Sequence, residues 1–188
     1  MSPDKYSILS VAGAHSGVGK TTLCSILLKE FKGFGAIKFT KTELYTSVVD
    51  SPEILDKEGK DTSIMMSAGA ERVVWVRSPV ENLNDALGMA LQKLNGARGV
   101  VVEGNSPVDF LNPHLVIFII GDEGEIKPAA LNVSSKADII VINSENPDHK
   151  RPSPIPASME DTKFFRINLK EKKGEIREFL TYVRRKLY

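Results

Sequence analysis

The chain has 188 residues, enough for one well-cored domain and short for two. Its 25 Lys and Arg nearly balance 24 Asp and Glu, leaving a formal charge of +1 and no global field to hold a nucleic acid or an anionic membrane. The composition, 41% hydrophobic and 26% charged, is that of an ordinary globular protein, and the single cysteine, Cys24, excludes an intrachain disulfide.

No basic-then-apolar leader opens the sequence, and the longest strongly apolar stretch, residues 115–120, is far shorter than the roughly 20 residues a membrane-spanning helix needs. The expectation is a cytoplasmic protein, one domain over residues 1–188, with neither nucleic acid nor membrane as partner.

Residues 6–12 read as a buried strand that passes through a glycine-rich turn into a helix over 20–31. Gly33 and Gly35 precede a short strand at 36–39. Residues 40–61 are polar, weakly periodic and carry Pro52 and Gly59; a connection of that length is either functional or mobile. A short helix at 62–68 and a strand at 72–76 follow. Val80, Leu83, Leu87, Ala90, Leu91 and Leu94 mark an amphipathic helix, and residues 99–103 a strand that is apolar until Glu103. Two further apolar strands, 115–120 and 138–142, flank a helix starting near Pro128. Residues 164–169 read as a final strand at a sheet edge. Ile176, Phe179, Leu180, Val183 and Leu187 then follow helical spacing.

Residues 163–188 carry nine Lys or Arg against three Glu, so a local +6 follows a body of −5. The spacing favours the wet face of a docked helix over a surface for an acidic partner, and Arg184, Arg185 and Lys186 suit the negative end of the helix dipole. Apolar strands alternating with helices predict a doubly wound, mainly parallel α/β sheet with helices on both faces. Ligands bind such sheets at the carboxyl ends of the strands, where Gly13, Lys38, Glu103 and Asn143 fall.

The strongest motif is Ala14-His15-Ser16-Gly17-Val18-Gly19-Lys20-Thr21, preceded by Gly13 and followed by Thr22. This is the pattern of a phosphate-binding loop, with Ala14 where glycine usually stands. Gly17 and Gly19 allow the backbone N–H groups to turn toward an anion at a helix N-terminus. Lys20 supplies charge to the β and γ phosphates, and Thr21 an oxygen to Mg²⁺. The expected fold class is therefore the P-loop NTPase class, and the expected cofactors are Mg²⁺ with GTP or ATP. His15 either touches the ligand or faces solvent at the loop crest. Cys24 reads as a core residue.

Glu103 ends its strand beside this loop, where a carboxylate holds Mg²⁺ directly or through water. Lys38 either stabilises a transferred phosphoryl group or is an ordinary solvated lysine, and Asp61 is a further carboxylate candidate for metal or substrate. Asn143 stands where many such domains read the base, but Asn143-Ser144-Glu145-Asn146 lacks the Lys and Asp of a guanine-reading motif. The segment after it, with Pro147, Pro152, Pro154 and Pro156, either folds over the base or is a solvated loop.

The segments GAHSGVGKTTL, GAIKFTK, GKDTSIMMSAGAERVVWV and VVVEGN together resemble the molybdopterin-guanine dinucleotide biosynthesis protein B (MobB) family, in the wider class that includes dethiobiotin synthetase. The run Gly59-Lys60-Asp61-Thr62, followed by Ala68-Gly69-Ala70, is the discriminating part. The resemblance implies that Lys20, Thr21, Glu103 and Lys38 are site residues. It also implies a GTP-binding accessory protein of molybdenum-cofactor biosynthesis, partnered by a cofactor intermediate or a biosynthesis protein and often a homodimer. Where the family has histidines after its lysine, this chain has Phe39-Thr40-Lys41. Dethiobiotin synthetase shares the loop and lysine and would imply ATP-driven phosphorylation of a carbamate.

Overall fold

The computed structural model describes residues 7–56, 61–147, 159 and 162–188. In these residues nine strands form one sheet: β1 (Ser7–Gly13), β2 (Phe34–Lys41), β3 (Ser47–Val49), β4 (Val73–Ser78), β5 (Gly99–Glu103), β6 (Leu115–Gly121), β7 (Ile139–Asn143), β8 (Lys163–Asn168) and β9 (Lys173–Gly174). Their order is β3-β4-β2-β5-β1-β6-β7-β8-β9. The run from β4 to β8 is parallel throughout, and only β3 and β9 pair antiparallel at the two margins.

Apolar strands need cover on both faces, and the helices supply it. Over one face lie α1 (Lys20–Glu30), the short α2 (Pro52–Leu55), α3 (Asp61–Ser67) and α7 (Ile176–Leu187), contributing Leu27, Leu55, Met65 and Phe179 to a core with Leu9, Val101 and Ile117. Over the other lie α4 (Leu83–Lys93), α5 (Val108–Leu111) and α6 (Leu131–Ser134), with Leu87 and Ala90 packed on Val74 and Val100, and Val133 packed near Phe118 and Ile140. The doubly wound arrangement is the one the alternation of apolar segments predicts. No helix among the described residues is long and apolar enough to cross a membrane.

Several boundaries differ from the sequence expectation. The polar stretch 40–61 contains the end of β2, all of β3 and α2, and residues 57–60 lie outside the described residues. β2 runs to Lys41 because its residues alternate: Ala36 joins the α1 side of the core, while Ile37 and Phe39 pack on the α4 side. The helix near Pro128 begins as a 3₁₀ turn, Pro128–Ala130, before α6, and Val80–Asn82 likewise precedes α4. β8 is not an edge strand. The chain returns after it so that Lys173 pairs with Asn168 and Gly174 with Ile167.

The basic tail forms the docked helix. Phe179 and Val183 of α7 are buried, Arg184 is ion-paired with Glu30, and Arg185 and Lys186 approach the Tyr182 ring at 5.4 and 5.7 Å.

Within β1, Ser10 is fully buried and its hydroxyl has no hydrogen-bond partner among the described residues. An unpaired buried hydroxyl costs stability and returns nothing to the fold. Ser10→Ala is therefore expected to leave stability unchanged or raise it by up to about 1 kcal/mol. Urea denaturation checks this, and a loss of more than ~1 kcal/mol would show a partner for the hydroxyl.

Candidate functional site

The carboxyl ends of β1, β2 and β5 meet at one rim, where a cleft of about 960 Å³ opens. The loop between β1 and α1 forms one wall. Its start is held by Asn105, whose carboxamide accepts from the Gly13 N–H and donates to the Gly13 carbonyl, both at 3.0 Å. A side chain thus continues the hydrogen-bonding of the sheet past the end of β1. Ala14 is fastened on the other side, donating to the Ile119 carbonyl at 2.9 Å and accepting from the Lys127 N–H at 3.1 Å.

The glycines of this loop are dictated by space and dihedral angle. A Cβ on Gly13 would stand 2.6 Å from Val18 Cγ1. Gly19 has φ +111°, and a Cβ there would meet Leu169 Cδ1 at 2.7 Å. Gly17, at φ +80°, sits in open space at the crest beside exposed Ser16. Gly19 leads directly into α1, whose first turn has neither a side-chain cap nor an acidic residue. Its leading N–H groups and positive dipole end are therefore left for an anion.

Lys20 Nζ donates to the His15 carbonyl at 3.0 Å, arching over the loop. Burial lowers its pKa from the ordinary lysine value, and the neighbouring Lys38 charge adds to this against the opposing pull of Glu103. Thr21 Oγ1 donates to Glu103 Oε2 at 3.0 Å. Glu103 is only 2% exposed, and its other oxygen is ion-paired with Lys38 Nζ. Lys38 also contacts Asp61 Oδ2 at 2.5 Å. Burial opposes the Lys38 charge, but the Glu103 charge and the hydrogen bonds to Asp61 and Glu103 outweigh it and raise its pKa. Lys38 is a half-buried bridge between two carboxylates rather than a solvated lysine.

Gly13, Ala14, His15, Ser16, Gly17, Gly19, Lys20, Thr21 and Thr22 line the cleft together with Lys38, Asp61 and Glu103. His15 is half-buried, its ring Nδ1 2.8 Å from the Ser16 carbonyl oxygen. Two of the expected residues stand elsewhere. The Val18 side chain is buried in the core. Asn143 does not line the cleft, because its amide nitrogen donates to the Val18 carbonyl at 3.1 Å and its oxygen accepts from the Leu169 N–H at 3.1 Å. Its side chain is a clamp between the phosphate loop and the end of β8. Of the proline-rich segment, Pro152, Pro154 and Pro156 lie outside the described residues.

Asn105 is a site residue beyond those the motifs mark, and its position directly after Glu103-Gly104, beside the strand-end acid, is the signal in the sequence that points to it. Ser106 and Lys127 also line the cleft, as Thr40 and Lys41 do.

By sequence, no protein-family model and no curated protein matches the chain. Among solved structures, it is similar to HypB from Helicobacter pylori in complex with nickel, with a TM-score of 0.64 at 14% identity over 97% of this chain and 87% of that one. The hydrogenase maturation factor HypB from Archaeoglobus fulgidus gives 0.61 at 15% identity over 98% and 91%. LpxK from Aquifex aeolicus, in complex with ATP, gives 0.54 at 17% identity over 86% of this chain and 53% of that one. The chain has the P-loop nucleoside triphosphatase fold. At these identities the likeness is one of fold, so the chemistry has to be read from the side chains themselves.

Magnesium binds through one or two protein oxygens plus phosphate oxygens and retained waters. The adjacent Thr21 hydroxyl and Glu103 carboxylate are hard oxygen donors of that kind, and they fit. Among the described residues no group of three or more His, Cys, Asp or Glu could hold a metal ion without help from a ligand. The buried thiol of Cys24, pushed well above its ordinary pKa by burial and next by the Glu103 charge, is a core group.

Removing Lys38 leaves Glu103 buried and uncompensated. Lys38→Met is expected to cost about 3 kcal/mol at neutral pH, and Glu103→Gln in the same chain to restore most of it. The raised folded pKa makes the Lys38 contribution complete below the ordinary value of 10.5, with loss as pH rises through the higher folded value. Urea titrations of the single and double variants at neutral and strongly alkaline pH measure both effects. Asn143→Ala strands the Val18 carbonyl and the Leu169 N–H, and should lower stability by roughly 2 kcal/mol without altering the preference between ATP and GTP. Thermal melting and competition binding read these two outcomes separately.

Proposed function

We propose that the chain binds a magnesium nucleoside triphosphate, GTP or ATP, in this cleft and hydrolyses it slowly. The observation that carries this is the joining of an uncapped α1 N-terminus and Lys20 to the Thr21–Glu103 pair within one cleft. The loop amides and Lys20 hold the phosphates, while Lys38, kept protonated by its two carboxylates, faces the terminal phosphate. Thr21 and Glu103 would hold Mg²⁺, which when bound neutralises phosphate charge. Glu103 and Asp61 keep Lys38 in place and orient it.

Within that chemistry we assign the chain a role as an accessory protein of molybdenum-cofactor biosynthesis, of the MobB kind. What supports this is the run that includes Asp61 and Thr62: Asp61 opens α3 and reaches Lys38, while the buried Thr62 hydroxyl donates to the Leu55 carbonyl at 2.8 Å. Asp61 thus serves the cleft directly, and Thr62 ties the start of α3 to the end of α2. A second reading, an ATP-dependent synthetase or kinase of the dethiobiotin-synthetase type, draws on the extent of the cleft past the phosphate loop to Thr40, Lys41 and Ser106. Turnover of a defined small acceptor with no protein partner would favour that enzyme.

Lys20→Ala removes a charge-assisted contact worth about 1.5–3 kcal/mol, so affinity for the magnesium nucleotide should fall roughly 10- to 100-fold. Isothermal titration calorimetry measures it, and unchanged affinity would refute the nucleotide reading.

A further inference from the structure

The charged groups of the cleft are mostly spent on one another. Lys38 is shared between Glu103 and Asp61, so those three groups together are net negative. Lys41 pairs with Glu43 at 3.0 Å. Lys20 donates to the His15 carbonyl at 3.0 Å and is the one cation built into the phosphate loop. A magnesium triphosphate remains a net anion, and Lys20 with the loop amides meets only part of its charge.

Lys127 is the remaining lysine of the cleft. It is exposed, and among the described residues its ammonium has neither a carboxylate nor a carbonyl partner. The acids of its own connection, Asp122, Glu123 and Glu125, do not line the cleft. Its backbone, by contrast, is held on both sides. The N–H donates to the Ala14 carbonyl at 3.1 Å, and the carbonyl accepts from the Ala130 N–H at 2.8 Å. Pro128 fixes the start of the 3₁₀ turn that follows, and Ala130 is buried in the same core cluster as Ala14. The fold therefore places the root of this side chain against the phosphate loop and leaves its charge unused.

Lys20 shows which phosphate that root is near. The lysine of such a loop reaches the β and γ phosphates, and here its Nζ sits at the His15 carbonyl. The His15 end of the loop thus marks the outer phosphates, and Gly19 with the first turn of α1 marks the inner ones. Lys127 is anchored to Ala14, the residue before His15, and lines the cleft with His15, Ser16 and Gly17. A lysine is a compact charge on a flexible four-carbon stem, so its ammonium can turn from solvent to an anion at that end.

We propose that Lys127, carried by the connection between β6 and α6, is a second phosphate-binding lysine and contacts the terminal phosphate of the bound triphosphate. The motif lysine, Lys20, is held at the loop with or without a terminal phosphate to contact. Lys127 has a partner only when that phosphate is present, so it separates triphosphate from diphosphate. This rests on the nucleotide reading above and assigns a specificity-determining residue to that same site.

The test is calorimetric titration of the full chain, in magnesium, with the β,γ-imido analogues of ATP and GTP and with ADP and GDP. Lys127→Gln is expected to weaken the triphosphate analogue about tenfold and to leave the diphosphate within about twofold. Lys127→Arg should keep most of the triphosphate affinity. Lys136→Gln removes the same charge from an exposed lysine outside the cleft, paired with Asp109, and should change neither affinity. The contacts that anchor Lys127 are made by its backbone, so the variants keep them, and thermal melting verifies that they fold. Unchanged triphosphate affinity in Lys127→Gln, or equal weakening of triphosphate and diphosphate, overturns the assignment and leaves the nucleotide reading standing. A parent chain that binds neither nucleotide overturns the nucleotide reading, and the assignment with it.

Discussion

A carboxylate buried to 2% exposure at the end of β5 sets the terms for the whole rim. Stripping water from Glu103 costs several kcal/mol unless charge and hydrogen bonds replace it. The replacements come from two different elements: Lys38 from β2 and the Thr21 hydroxyl from α1. Lys38 lies opposite Glu103 in the β2–β5 register. A slip of one residue would turn Lys38 to the other face of the sheet and leave the carboxylate bare. Register, helix placement and cleft electrostatics are therefore one constraint. Lys38 answers Glu103 and Asp61 together, so the three groups repel an incoming anion less than the two bare acids would.

The phosphate loop is held from outside. Asn105 grips its first residue through both ends of a carboxamide, and Asn143 donates to its Val18 carbonyl while accepting from the Leu169 N–H. These amides fix the backbone without using the loop N–H groups that face the cleft. The missing cap on α1 belongs to the same design: an acidic side chain at that terminus would compete with a ligand for the same donors. Preorganisation of this kind removes the ordering cost that a flexible loop would impose on binding.

The order of strands and helices was legible because the central strands β1, β5, β6 and β7 are apolar nearly throughout and α4 and α7 carry clear stripes. Gly19-Lys20-Thr21 and Glu103 were legible because their chemistry depends on residue type at short spacing. Other features depend on distant contacts. β3 has three half-buried residues and exists through pairing with β4, so it carries no periodic signal of its own. β9 has two residues and is likewise defined by its partner. Asn143 stood at the expected rim, but the direction of its amide is decided by Val18 and Leu169, which are remote in sequence. Lys38 read equally well as solvated or functional until Asp61, 23 positions later, was brought against it.

The overall charge of +1 resolves into two pieces that do not interact as a field. The cations in the last turn of α7 are engaged locally, Arg184 by Glu30 and its neighbours by the Tyr182 ring. They do not provide the positive potential of the cleft. That potential arises within a body of net −5, from Lys20, Lys41, Lys127 and the α1 terminus, on a wall whose two acids are already occupied by Lys38. With a net charge of +1 there is no far field to draw an anion in, so a small anion is met by these groups only at contact distance, where attraction outruns screening.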